Sequence, residues 1–79
     1  MTDWRAENAK HTRGAVLSFK TYVRPSETWD HDHCAGCWAK FMESGTGVLS
    51  EGYETADGRD WICNECFRDL RNVMEWTLA

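Results

Sequence analysis

Apolar and β-branched residues first gather between residues 15 and 24, where Val16, Leu17, Phe19, Thr21, Tyr22 and Val23 lie close together. At period two, Leu17, Phe19, Thr21 and Val23 share one face and Val16, Ser18, Lys20 and Tyr22 the other, which predicts a strand. Gly14 precedes this stretch and Arg24-Pro25-Ser26-Glu27 ends it, because proline brings no N–H to a ladder and restricts the residue before it. Upstream, residues 1–14 are polar and mixed in charge, and Asp3 is placed to cap a short helix from Trp4 to His11. A second strand is expected over Val48–Thr55 and its partner over Arg59–Cys63. Asp57-Gly58 between them suits a two-residue type I′ turn, in which both central residues take positive φ, and this register sets Tyr53 opposite Ile62.

The last stretch has helical periodicity. Cys66, Phe67, Leu70, Val73, Met74 and Thr77 form an apolar stripe at the 3.6-residue period, with Asn64 as the expected N-cap and Glu65 and Asp69 near the positive end of the helix dipole. The chain therefore reads as α+β: a short helical or poorly ordered segment over residues 1–14, then one domain over 15–79.

Seventy-nine residues make a single small domain whose core is marginal by itself, since a chain this short buries only about 60–65% of the surface it exposes when unfolded. Five tryptophans argue for a packed interior over disorder. No apolar run approaches the roughly 20 residues that span a bilayer, and residues 1–8 lack the basic and apolar regions of a signal peptide. A cytoplasmic location is the expectation, with no membrane partner. In that compartment thiols stay reduced and four cysteines point to metal before disulfide.

The decisive spacing is Cys34-x-x-Cys37, 25 intervening residues, then Cys63-x-x-Cys66. Two residues between cysteines let one tight turn bring both sulfurs to one point, so each pair supplies half of a tetrahedron about 2.3 Å from a Zn2+ ion. Gly36 is expected to ease the first turn by accepting positive φ. The expected ligands are Cys34, Cys37, Cys63 and Cys66, holding one structural zinc per chain within a metal core over residues 33–77. A redox-active pair or buried free thiols are the plainer alternatives. With the second pair placed to straddle a strand end and the first helical turn, free N–H groups there would stabilise its thiolates.

The motifs "HCAGCW" and "DWICNECFRDL", followed by the helical stripe, resemble the treble-clef zinc fingers. The resemblance implies a knuckle carrying Cys34 and Cys37, a hairpin, and a helix whose start carries Cys63 and Cys66. It implies a scaffold and not a function, since such domains serve many partners. "DWICNEC" is also similar to the second knuckle of rubredoxins, iron electron carriers. Those place glycine after each knuckle, where Trp38 and Phe67 stand here, and usually proline at the position of Asn64. Asp30-His31-Asp32-His33 resembles the Asp-His motif of HNH-type nucleases, yet these histidines precede the first knuckle and none follows residue 33. The histidines read as solvated or supporting side chains, with His33 an alternative ligand through its position next to Cys34.

Charge bears on the partner. Residues 1–33 balance five basic against five acidic side chains, while residues 34–79 carry four against eight, so the whole net charge of −4 lies in the cysteine-bearing half. Nucleic-acid modules normally have the opposite sign. The expectation is a non-catalytic module that binds another protein or its own copy, with nucleic-acid binding as runner-up. Its weak point is Arg5, Lys10, Arg13, Lys20 and Arg24, which would form a basic patch if they converged. An aromatic cage of Trp29, Trp38, Trp61 and Trp76 is the alternative to tryptophan as core filler.

Overall fold

A computed structural model describes residues 3–79. The order along the chain is α1 (Trp4–Asn8), a 3-10 turn (Lys10–Thr12), β1 (Val16–Thr21), β2 (His31–His33), β3 (Lys40–Met42), β4 (Glu51–Thr55), β5 (Trp61–Ile62), α2 (Asn64–Leu70) and β6 (Thr77–Leu78). Four strands form one sheet in the order β5-β4-β1-β6, and β2 with β3 makes a second, two-stranded sheet. The result is a small α+β fold.

Strand β1 runs antiparallel beside β4, with Phe19 opposite Tyr53, and parallel beside β6, with Leu17 opposite Leu78. It ends three residues before the expected boundary, and the expected faces do not hold. Leu17 and Tyr22, of opposite parity, are buried, while Phe19 and Val23 are exposed. Beyond Thr21 the Tyr22 N–H still donates to the Ser50 carbonyl at 2.7 Å, and its ring enters the core against Trp61 and Phe41.

The β4–β5 register is as expected, Tyr53 opposite Ile62, but both strands are shorter than their patterns suggest. Leu49 instead bridges to Phe41. The turn is not type I′. The Gly58 N–H donates to the Thr55 carbonyl at 2.8 Å and only Gly58 takes positive φ, at 75°. Asp57 accepts from the Arg59 N–H and from the Thr55 hydroxyl, an Asx-type closure that keeps the register without a second left-handed residue.

Helix α2 starts one residue earlier than expected, with Asn64 inside it, and ends at Leu70, not near Thr77. A string of turns follows, Glu75 takes φ 56°, and the chain reverses into β6. Two tertiary interactions override the helical stripe. Trp76 is buried with its indole N–H donating to the carbonyl and hydroxyl of Thr12, both at 3.1 Å, and residues 77–78 join β1. Val73, expected on the apolar face, is exposed.

Two aromatic groups fill the interior. Tyr22, Phe41 and Trp61 pack mutually with ring centres 5.0–6.1 Å apart. Phe67 is stacked with Tyr53 at 4.0 Å and lies parallel to Trp76 at 6.3 Å, with Arg71 over its ring. Ala9 and Thr12 are buried, so the N-terminal segment packs on the rest of the fold. Among the described residues, no helix is long and apolar enough to cross a membrane.

Candidate metal centre

The four cysteines come from two turns held together by backbone pairing. Cys34 follows β2 and bridges to Trp61 of β5, where the Ala35 N–H donates to the Trp61 carbonyl at 2.8 Å. This bond fixes the first knuckle beside the strand that leads into Cys63. The knuckle itself is closed by Trp38 N–H to the Cys34 carbonyl at 3.0 Å and Cys34 N–H to the Ala39 carbonyl at 2.8 Å. Cys63, not Asn64, is the N-cap of α2. Its backbone is extended at φ −72°, ψ 159°, and its Sγ accepts from the Cys66 N–H at 3.3 Å. A thiolate in a cap position uses the free N–H groups of the first turn as a carboxylate would.

All four Sγ atoms lie within 4.8 Å of one another, and Cys37 and Cys63 are 3.6 Å apart. A tetrahedron of four thiolates with 2.3 Å metal–sulfur bonds has edges of about 3.8 Å. The donor set therefore fits one tetrahedral, thiophilic ion. Cys34, Cys63 and Cys66 are buried and Cys37 is partly exposed. Thiol hydrogen bonds from Cys63 and Cys66, and the Cys63 N–H at 3.3 Å, hold Cys34 far below the ordinary thiol range. The Cys34 thiolate in turn pushes Cys63 up, and Cys34 and Cys63 together push Cys66 up. A divalent ion replaces this arrangement by stabilising thiolates directly.

Gly36 performs a different task from the expected one. Its φ is not positive; a Cβ there would come within 3.1 Å of Cys66 Sγ and 3.5 Å of the Arg5 carbonyl oxygen. Close approach of the cluster, and not backbone conformation, is what favours glycine here. The left-handed residue of the knuckle is Trp38, at φ 66°, with its side chain two-thirds exposed.

Helix α1 braces the knuckle from outside. Asp3 caps it by accepting from the Arg5 N–H at 2.9 Å, and the Asn8 amide donates to the Gly36 carbonyl at 2.9 Å. The Arg5 guanidinium bonds Asp3 at 2.9 Å and Asp69 of α2 at 3.1 Å, which holds it charged. The local pattern marks Asp3 as a cap but does not show Arg5, Asn8 and Asp69 as braces of the knuckle. The Arg5–Asp69 and Asn8–Gly36 contacts join residues 64 and 28 positions apart and leave no local pattern.

The cluster contains no histidine. His33 sits on β2, where strand alternation sends its side chain opposite to that of Cys34, and its ring meets that of His31. Asp32 turns inward, accepting from the Tyr22 hydroxyl at 2.7 Å and the Trp29 indole at 3.3 Å. Burial, with the Asp32 carboxylate second, pushes the Tyr22 hydroxyl well above its usual range. The four tryptophans form no cage: Trp61 and Trp76 are core residues, while Trp29 and Trp38 are exposed.

The arrangement is that of a metal-binding structural module. No known family, curated protein or solved structure matches the chain.

Proposed function

We propose that the protein is a zinc-stapled module of treble-clef type, one Zn2+ per chain, that acts without catalysis by binding another protein in the cytoplasm. The four-thiolate set and its fit to a tetrahedral ion support the metal, and all four cysteines are committed to it. A knuckle, the β4–β5 hairpin and the start of α2 converging on one point support the treble-clef reading.

One observation carries the partner class. Each of the five cations that could have made a basic patch in the N-terminal half faces a carboxylate. Arg5 meets Asp3 and Asp69, Lys10 meets Glu7, and Arg13 meets Glu75 at 2.7 Å. Lys20 meets Glu54 at 2.7 Å and Arg24 meets Glu43 at 3.6 Å. Exposed pairs contribute little stability, but each acid repels a phosphate that approaches its partner. Trp38, exposed on the knuckle, suits an aromatic anchor for a protein partner.

Native mass spectrometry of untagged protein reads metal identity, stoichiometry and self-association together; one zinc per chain is expected. Titration with mixed-sequence DNA and RNA at about 0.15 M salt tests the partner class. Binding no tighter than about 10 μM is expected, and sub-micromolar binding that weakens steeply with salt would overturn the reading.

A further inference from the structure

The outward face of β2–β3 carries chemistry that the cysteine cluster does not use. His31 and His33 stand two residues apart on one strand and so share a face. Their ring centres are 5.2 Å apart with planes at 89°. Two imidazoles bound to one ion through nitrogens at 2.0–2.1 Å place each ring centre about 3.2 Å from the metal. At a tetrahedral angle the ring centres are then about 5.2 Å apart. Rotation about each metal–nitrogen axis leaves the planes free, so the perpendicular rings are compatible with shared coordination.

The neighbours favour that use. Asp30 Oδ1 lies 2.8 Å from His31 Nδ1, the carboxylate–imidazole pairing in which Nδ1 donates and Nε2 is the nitrogen left for a metal. Asp32, between the histidines, points the other way with both carboxylate oxygens engaged, which pins the strand. Across the ladder Met42 is opposite His31 and Lys40 opposite His33. Directly paired residues share a face, so a thioether lies on the same surface. The Lys40 ammonium opposes a cation there, and the Asp30 carboxylate offsets it. An open surface recess lined by Thr28, Trp29, Asp30, His31, Asp32 and His33 leaves room for an ion and its waters.

We propose that His31 and His33 form a second metal site, separate from the four cysteines, for a late first-row divalent ion. Two imidazoles with a thioether nearby select nickel, copper or zinc over magnesium or calcium, which demand oxygen ligands. Only two firm protein donors leave the remaining positions to water or to a donor from a partner.

The test uses the full chain with its cysteine site loaded with zinc and adds Ni2+, which is less oxidising toward thiolates than Cu2+. Calorimetry with elemental analysis is expected to show one nickel bound and the original zinc retained. Histidine resonances of residues 31 and 33, not 11, should shift or broaden. His31→Ala and His33→Ala should each weaken nickel binding at least tenfold, and Asp30→Asn by about 10–100-fold. His11→Ala, which removes an exposed histidine near Asp60, should leave it unchanged. His31→Gln and His33→Gln keep side-chain bulk on the strand, so loss of nickel with native amide dispersion assigns the effect to ligation. Nickel uptake that displaces the zinc, or that persists in the His31→Gln/His33→Gln double variant, would overturn the proposal.

Discussion

Gly52→Ala offers the sharpest test of how the core positions the metal centre. Gly52 is buried in β4, and a Cβ there would lie 2.6 and 2.8 Å from two ring carbons of Phe41 and 2.9 Å from the Ile62 carbonyl oxygen. Its φ is not positive, so the conflict is steric and not torsional. The Phe41 ring is fully buried and packed against both Tyr22 and Trp61, which resists its displacement. The carbonyl belongs to the strand that leads directly into Cys63. Overpacking of this kind costs about 1–3 kcal/mol, and a backbone oxygen that cannot change rotamer argues for the upper end. Replacing glycine also restricts the unfolded chain, worth about 0.4–1 kcal/mol in the opposite direction. A net loss of about 2 kcal/mol follows, which for a domain of this size lowers Tm by roughly 8–16 °C. Urea unfolding of the metal-loaded protein, followed by tryptophan fluorescence, reads it as a midpoint shift on the order of 1 M. Gly14→Ala is the control. Nothing lies within 4 Å of its Cβ, and its φ of +80° costs only local strain, about 1 kcal/mol. A Gly52→Ala midpoint equal to that of the parent, or above that of Gly14→Ala, would refute the packing of Phe41 on β4 and the argument built on it.

Chelation of the metal should unfold residues 33–77, because metal binding worth about 10–16 kcal/mol in zinc-finger peptides exceeds what so small a core supplies; a well-dispersed, cooperatively melting apo form on NMR and circular dichroism would contradict this. Alanine at Cys34, Cys37, Cys63 or Cys66 should abolish zinc retention at the cluster, while alanine at His33 should leave it near one ion per chain by elemental analysis. Trp38→Gly should raise the urea midpoint by the equivalent of about 0.5–1 kcal/mol, since the left-handed strain of a bulky residue, about 1–2 kcal/mol, exceeds the added freedom of glycine when unfolded. A lower midpoint would mean that the exposed indole packs more than its exposure indicates.

Local chemistry was legible where one segment carried its own constraint. Two Cys-x-x-Cys turns need only bond geometry to pair sulfurs, and the four sulfurs do gather within 4.8 Å. The Tyr53–Ile62 register followed from Asp57-Gly58 and alternation, although a different turn delivers it. A helix beginning at the second cysteine pair was readable from its stripe. Its length was not, because capture of Trp76 by Thr12 and addition of residues 77–78 to β1 involve partners about 60 positions away. The same holds for β2 and β3, three residues each, whose pairing depends on the knuckle between them and on Tyr22 reaching Asp32. Gly36 shows the distinction in one residue. The sequence marks a glycine in a tight turn, where positive φ is the usual reason; only the packed chain reveals that Cys66 Sγ would lie 3.1 Å from a Cβ there. Propensity and spacing act over a few residues, so they fixed the cysteine pairs and the hairpin register. Burial, close approach and ion pairing are properties of surfaces that meet only after folding, and these decided where the helix stops, which tryptophans face solvent and how the basic side chains are neutralised.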